Sequence, residues 1–287
     1  MLCGAFSVLT VSSFAQNPTI GGGTCNSSSL NGVYALTVTG RQTNSKGVFN
    51  NLFQANGSAS FDGLSKVTIT LNTNTLQAIA TPLAWSGTYS IQANCVGQVA
   101  INSGGSLTLD LLLYGGGTDF LVNGSDATYS YAGSGNTQPA TCSATMLAGV
   151  YAFNATGFSL NGAAVTGAED VAGLLQFDGQ ANVTANFTAF TLGSSSPLNL
   201  TGTYSISNCG GSAKLIDSKG NTYTLSFSIT AENKTAITNF SATLGLNGVV
   251  TLSGAARAVY GQPTAALFGD PLNRLGSLRI TRLGGRS

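Results

Sequence analysis

The sequence contains no histidine and few charges of either sign. Among 287 residues there are 11 Lys+Arg and 10 Asp+Glu, so 7% are charged, where a soluble domain averages about 25%. Without histidine there is no Ser-His-Asp triad, no imidazole metal ligand and no imidazole proton shuttle. A net charge of +1 gives no electrostatic footprint for nucleic acid. No apolar run reaches the roughly 18 residues of a transmembrane helix. No stretch sustains a capped 3.6-residue period, so helix content is expected to be low. There is no Cys-x-x-Cys pair and no EF-hand loop, and the glycine runs at 21–23 and 115–117 precede no helix. Neither a metal nor a cofactor is expected. What fills the gap is glycine (38 residues) with Ser, Thr and Asn, and 43% hydrophobic residues exclude disorder by charge repulsion.

Residues 1–15 read as a signal peptide. Leu2 to Val11 is short and mostly apolar, and Ser13 and Ala15 are the small residues before a cut at Gln16. The basic start of such a leader is missing. Export to the periplasm or the medium is the expectation. Cys3 would leave with the leader, and Cys25, Cys95, Cys142 and Cys209 then allow three pairings.

The chain repeats itself. Cys25 is followed by Leu30, Gly32, Val33 and Tyr34, and Cys142 by Leu147, Gly149, Val150 and Tyr151. Phe61-Asp62-Gly63 returns as Phe177-Asp178-Gly179. Gly87-Thr88-Tyr89-Ser90-Ile91 returns as Gly202-Thr203-Tyr204-Ser205-Ile206, and Cys95 answers to Cys209. The offset drifts only from 117 to 114 residues. Repeats are expected at 25–131 and 142–260, joined by a Gly/Ser/Asn/Pro linker at 132–141 and followed by a basic tail at 261–287. Two self-contained repeats imply Cys25–Cys95 and Cys142–Cys209.

Within each repeat the period is two. Val67, Ile69 and Leu71 alternate with Thr68, Thr70 and Asn72, and Tyr223, Leu225, Phe227 and Ile229 with Thr224, Ser226, Ser228 and Thr230. Asn-Gly and Asp-Gly pairs supply hairpin turns. The fold class is all-β. Eight candidate strands per repeat indicate two tandem eight-stranded antiparallel up-and-down barrels of the calycin type, with two β-sandwiches as the alternative. One sixteen-stranded outer-membrane barrel also fits the alternation, although the strands look short and no aromatic girdle is visible.

The pattern Cys-x4-Leu-x-Gly-Val-Tyr, Phe-Asp-Gly, Gly-Thr-Tyr-Ser-Ile and Asn-Cys-x-Gly resembles a group of secreted bacterial tandem-repeat β proteins of unknown function. At the level of strand count the units are also similar to lipocalin-like and allene-oxide-cyclase-like barrels. The resemblance implies architecture and a structural disulfide in each unit, and no chemistry.

Candidates for chemistry are few. Asp62 and Asp178 sit before glycine, where Asp is a turn former, and Glu169-Asp170 reads as a solvated loop. Asp110 lies in Leu107–Tyr114 on the same strand face as Tyr114, and that face points to solvent or to the lumen. Arg41 and Arg257 are the arginines outside the tail. An inward Arg257 would bind a ligand carboxylate bidentately. Trp85 and the tyrosines suit either core packing or a glycan-binding face. Asp110, Arg257, Arg41, Tyr114 and Trp85 are therefore the candidate ligand-binding residues. The scarcity of ionisable groups argues against an enzyme. It points to a secreted module that binds a small apolar molecule or a surface glycan, or that has a structural role outside the cell. The alternative is a barrel isomerase or cyclase acting on a small apolar substrate. The arginines of the tail would give it weak contact with an anionic surface.

Overall fold

The computed structural model of the chain describes residues 24–43, 49–230 and 239–259. The expected leader and the basic tail lie outside the described residues. The first repeat forms β1 (Asn31–Thr43), β2 (Phe49–Asp62), β3 (Lys66–Thr75), β4 (Thr81–Ile91), β5 (Val96–Ser103), β6 (Leu107–Tyr114), β7 (Asp119–Ser125) and β8 (Ser130–Thr137). The second forms β9 (Gly149–Asn161), β10 (Ala164–Phe177), β11 (Asn182–Thr191), β12 (Ser194–Ser207), β13 (Gly210–Ile216), β14 (Thr222–Thr230), β15 (Asn239–Leu246) and β16 (Val250–Ala258). Each set pairs antiparallel in chain order and closes on itself. β1 meets β8 from Tyr34↔Thr137 to Arg41↔Ser130, and β9 meets β16 from Ser159↔Val250 to Tyr151↔Ala258. The architecture is thus two closed eight-stranded barrels, neither two sandwiches nor one sixteen-stranded ring.

One boundary differs from the expectation. Residues 132–137, read as the start of a linker, belong to β8 and close the first barrel. Their glycines are dictated by packing. A Cβ on Gly133 would lie 2.1 Å from the Thr37 carbonyl oxygen, and one on Gly135 would lie 2.1 Å from Cζ of Phe120.

The recurring motifs form the end and the centre of each barrel. The disulfides are Cys25–Cys95 and Cys142–Cys209, with Cα atoms 4.9 and 5.0 Å apart. Each ties a single 3₁₀ turn, Ser27–Ser29 or Ala144–Leu147, to the hairpin between the fourth and fifth strands of its barrel. Leu30 and Leu147 plug the barrel end and are fully buried. Tyr89 latches the first turn, its hydroxyl lying 2.9 Å from the carbonyl oxygens of both Ser27 and Leu30. The Tyr204 hydroxyl donates to the Ala144 carbonyl in the same way, at 3.2 Å. Phe61 and Phe177 sit at the centres of the two aromatic clusters. Asp62 accepts the backbone N–H groups of Leu64, Ser65 and Lys66 through one oxygen, and Asp178 those of Gln180, Ala181 and Asn182. The Lys66 N–H above all holds the Asp62 carboxyl below its ordinary range. These aspartates are turn formers.

The two barrels pack against each other through side chains that point away from both interiors. Gln54 and Asn56 on β2, Ser226 and Ser228 on β14, Thr243 on β15 and Thr251 on β16 are all buried. Thr243 Oγ1 donates to Asn56 Oδ1 at 3.1 Å, and Asn56 Nδ2 donates to Ser228 Oγ at 3.4 Å. Thr251 Oγ1 donates to Gln54 Oε1 at 2.8 Å, and Gln54 Nε2 to the Thr156 carbonyl at 3.5 Å. Leu52, Leu76 and Leu160 form a small apolar cluster beside this network. The hydroxyl and amide side chains of the outer strand faces are, along this seam, the glue between the barrels. Asn56→Ala strips hydrogen-bond partners from Thr243 and Ser228 and is expected to cost about 1–3 kcal/mol. Asn123→Ala, exposed on β7, should stay within about 0.5 kcal/mol. Urea unfolding of both variants checks this, and equal midpoints would contradict the seam.

Candidate functional site

Both barrel interiors are filled by side chains. In the first, Tyr34, Phe61, Tyr89 and Phe120 pack with ring centroids 4.9 to 5.7 Å apart. In the second, Tyr151, Phe177, Tyr204, Phe227 and Phe240 pack at 4.9 to 5.8 Å. The candidate site lies outside them. It is a cleft of about 600 Å³ between the barrels, next to the polar seam.

The cleft is built from equivalent positions of the two repeats. In the first barrel Gly115, Gly116 and Gly117 all have positive φ, between 60° and 92°, and carry the chain tightly from β6 to β7. Tyr114 and Asp119 therefore stand opposite each other, with Asn136 of β8 opposite Asp119. In the second barrel Thr230, Asn239 and Arg257 stand in the same row across β14, β15 and β16. The correspondence is set by matching contacts. The Leu113 N–H bonds to the Cys95 carbonyl and the Ile229 N–H to the Cys209 carbonyl, both at 2.9 Å. Tyr114 therefore answers to Thr230, Asp119 to Asn239 and Asn136 to Arg257. Phe120 and Phe240, the next residues on β7 and β15, turn inward.

The first wall is a connected polar row. Asn136 Nδ2 donates to Asp119 Oδ1 at 2.6 Å, and Thr118 Oγ1 donates to Asp119 Oδ2 at 2.9 Å. Tyr114 is 38% exposed, enough to offer part of its ring. Its hydroxyl is pushed up from its ordinary pKa by burial and by the charge of Asp119, so it is a neutral donor at physiological pH. On the second wall Arg257 is exposed. Ser241 adds a buried hydroxyl that has no hydrogen-bond partner among the described residues.

Of the five residues proposed from sequence, two line the cleft, Tyr114 and Arg257. Arg257 points outward from β16, so a carboxylate on it would lie between the barrels and not in a lumen. Asp110 is exposed on the outer face of β6 and accepts from Gln98 Nε2 at 3.1 Å. Arg41 is exposed on β1. Trp85 is inside the first barrel, stacked on Phe53 at 6.3 Å. Asp119, Asn136, Asn239 and Ser241 were not singled out from sequence. The run Gly115–Gly117 before Asp119 was the available signal. It positions the aspartate by turning the chain.

Among the described residues no group of three His, Cys, Asp or Glu could hold a metal, and no helix is long and apolar enough to cross a membrane. No family model matches the chain, and no curated protein matches it. The resemblance to secreted tandem-repeat proteins rests on the quoted motifs alone. Among solved structures, Burkholderia oklahomensis agglutinin is similar at 12% identity over 82% of this chain and 97% of that one. The TM-score is 0.18, too low to carry a statement about fold or ligand.

Proposed function

We propose that the chain is an exported, non-catalytic binding module that holds a saccharide in the cleft between its barrels. The observation that carries this reading is the Asp119–Asn136 pair beside the half-exposed Tyr114 ring. A fixed carboxylate with spare lone pairs accepts hydroxyl protons, a side-chain amide both donates and accepts, and an amphipathic ring covers an apolar sugar face. The packed barrel interiors support a site outside them. Among the described residues Asp119 is the one carboxylate lining the cleft, and it is already held by two donors, which supports binding over acid/base work. Two disulfides suit an oxidising compartment. The full chain should bind members of a panel of immobilised neutral and acidic oligosaccharides. Tyr114→Ala and Asp119→Ala should each weaken the hits about tenfold, the scale of one lost charge-assisted hydrogen bond or one stacking contact. A panel with no hits, or hits indifferent to both substitutions, would overturn the reading.

A further inference from the structure

We infer that the ligand is an acidic saccharide, with a sugar carboxylate on Arg257 of the second barrel and sugar hydroxyls on Asp119 and Asn136 of the first. This rests on the reading of the cleft as a saccharide site. The duplication is what makes it visible. Each barrel brings the same three-residue row to the cleft, and the rows have diverged in charge. The first reads Tyr114–Asp119–Asn136 and the second Thr230–Asn239–Arg257.

The anionic member is satisfied within its own barrel. Both Asp119 oxygens accept a hydrogen bond, from Asn136 and from Thr118. The cationic member is not. Among the described residues the Arg257 guanidinium has no hydrogen-bond or ion-pair partner, although Asn136, at the equivalent position of the first barrel, is bonded to Asp119. Ser241, on the same wall, keeps a buried hydroxyl without a partner. An exposed guanidinium with no partner in the protein is free to take an acceptor from a ligand, and its planar fork matches a carboxylate bidentately. The ligand's direction follows from the walls. A carboxylate next to Asp119 would be repelled, so the acid group goes to the second barrel and the hydroxyls to the first. A dianionic phosphate fits less well, because one arginine faces one aspartate across the cleft.

The test uses the full chain and matched probes, oligomers of galacturonate and of glucuronate as free acids and as methyl esters. The free acids should bind about tenfold or more tightly than the esters, the margin of a charge-assisted pair over a neutral one. Arg257→Gln should remove that preference, bringing the free acids down to the affinity of the esters, with an unchanged melting curve because the side chain is exposed. Equal binding of acid and ester, or an acid preference that survives Arg257→Gln, would overturn this inference and leave the saccharide reading intact. Failure of every acid, ester and neutral sugar to bind would overturn both.

Discussion

Replacing Cys142 and Cys209 together by serine should lower the stability of the second barrel by about 4 kcal/mol, from the chain-entropy value for a loop of this length. The bridged residues are 67 apart in sequence, and closing so long a loop removes many conformations from the unfolded chain. The bond also braces a strained turn. Asn208 and Cys209 have φ of 51° and 59°, a left-handed backbone that costs a non-glycine residue about 1–2 kcal/mol. Without the staple this turn and the Ala144–Leu147 plug it retains are the first parts to open. The single tryptophan makes the experiment specific. Trp85 belongs to the first barrel, so its fluorescence in urea follows that barrel, whereas far-UV circular dichroism follows both. The dichroism midpoint of Cys142→Ser/Cys209→Ser should fall. The fluorescence midpoint should follow it to the extent that the Asn56 and Gln54 seam couples the barrels. A variant within about 0.5 kcal/mol of the parent, the range of a neutral surface change, would contradict the structural role of the bond.

The architecture was legible because it is written in local chemistry. Alternation of Val, Ile and Leu with Thr and Asn specifies a strand with one inward face, and a repeated Asp-Gly specifies a turn. The spacing of Cys25 to Cys95 against Cys142 to Cys209 singled out the pairing. The eight strands expected in the first repeat are all present. The last of them, β8, runs into the segment expected as linker, because Gly133 and Gly135 look like linker residues and are in fact required by neighbouring atoms. That requirement is tertiary and leaves no local trace.

The cleft was only half legible for a related reason. Alternation says which residues leave the barrel interior but not which outer face meets another barrel. Asn56 and Thr243 look like any solvated strand residues, and only the docking of β2 against β14 and β15 buries them. Asp110 drew attention by standing in a run of leucines, yet its outer face meets solvent. Asp119 stood in an unpromising glycine-rich stretch and reaches the cleft because three positive-φ glycines reverse the chain beside it. Arg257 could be singled out by its rarity. Its direction depended on where the second barrel closes.

Phe177→Ala should be among the most damaging single substitutions in the chain, costing about 3–5 kcal/mol, the range for a buried phenylalanine truncated in a core that cannot collapse. Phe177 is fully buried. Its ring meets Tyr204 edge-on at 4.9 Å, Tyr151 at 5.7 Å, and Phe227 and Phe240 at 5.8 Å. Removing it leaves four rings without a common partner. An open sheet relaxes by shifting one strand, but here each strand is hydrogen-bonded on both sides around a closed ring, so the void remains. Phe177→Leu keeps most of the volume and should lose less. Phe190→Ala, on β11 with its ring 45% exposed, should stay near the parent. The order Phe177→Ala, Phe177→Leu, Phe190→Ala in urea midpoints is the expected result. If Phe177→Ala instead matched Phe190→Ala, the barrel would not be packed around this ring, and its lumen would again be a candidate for a ligand.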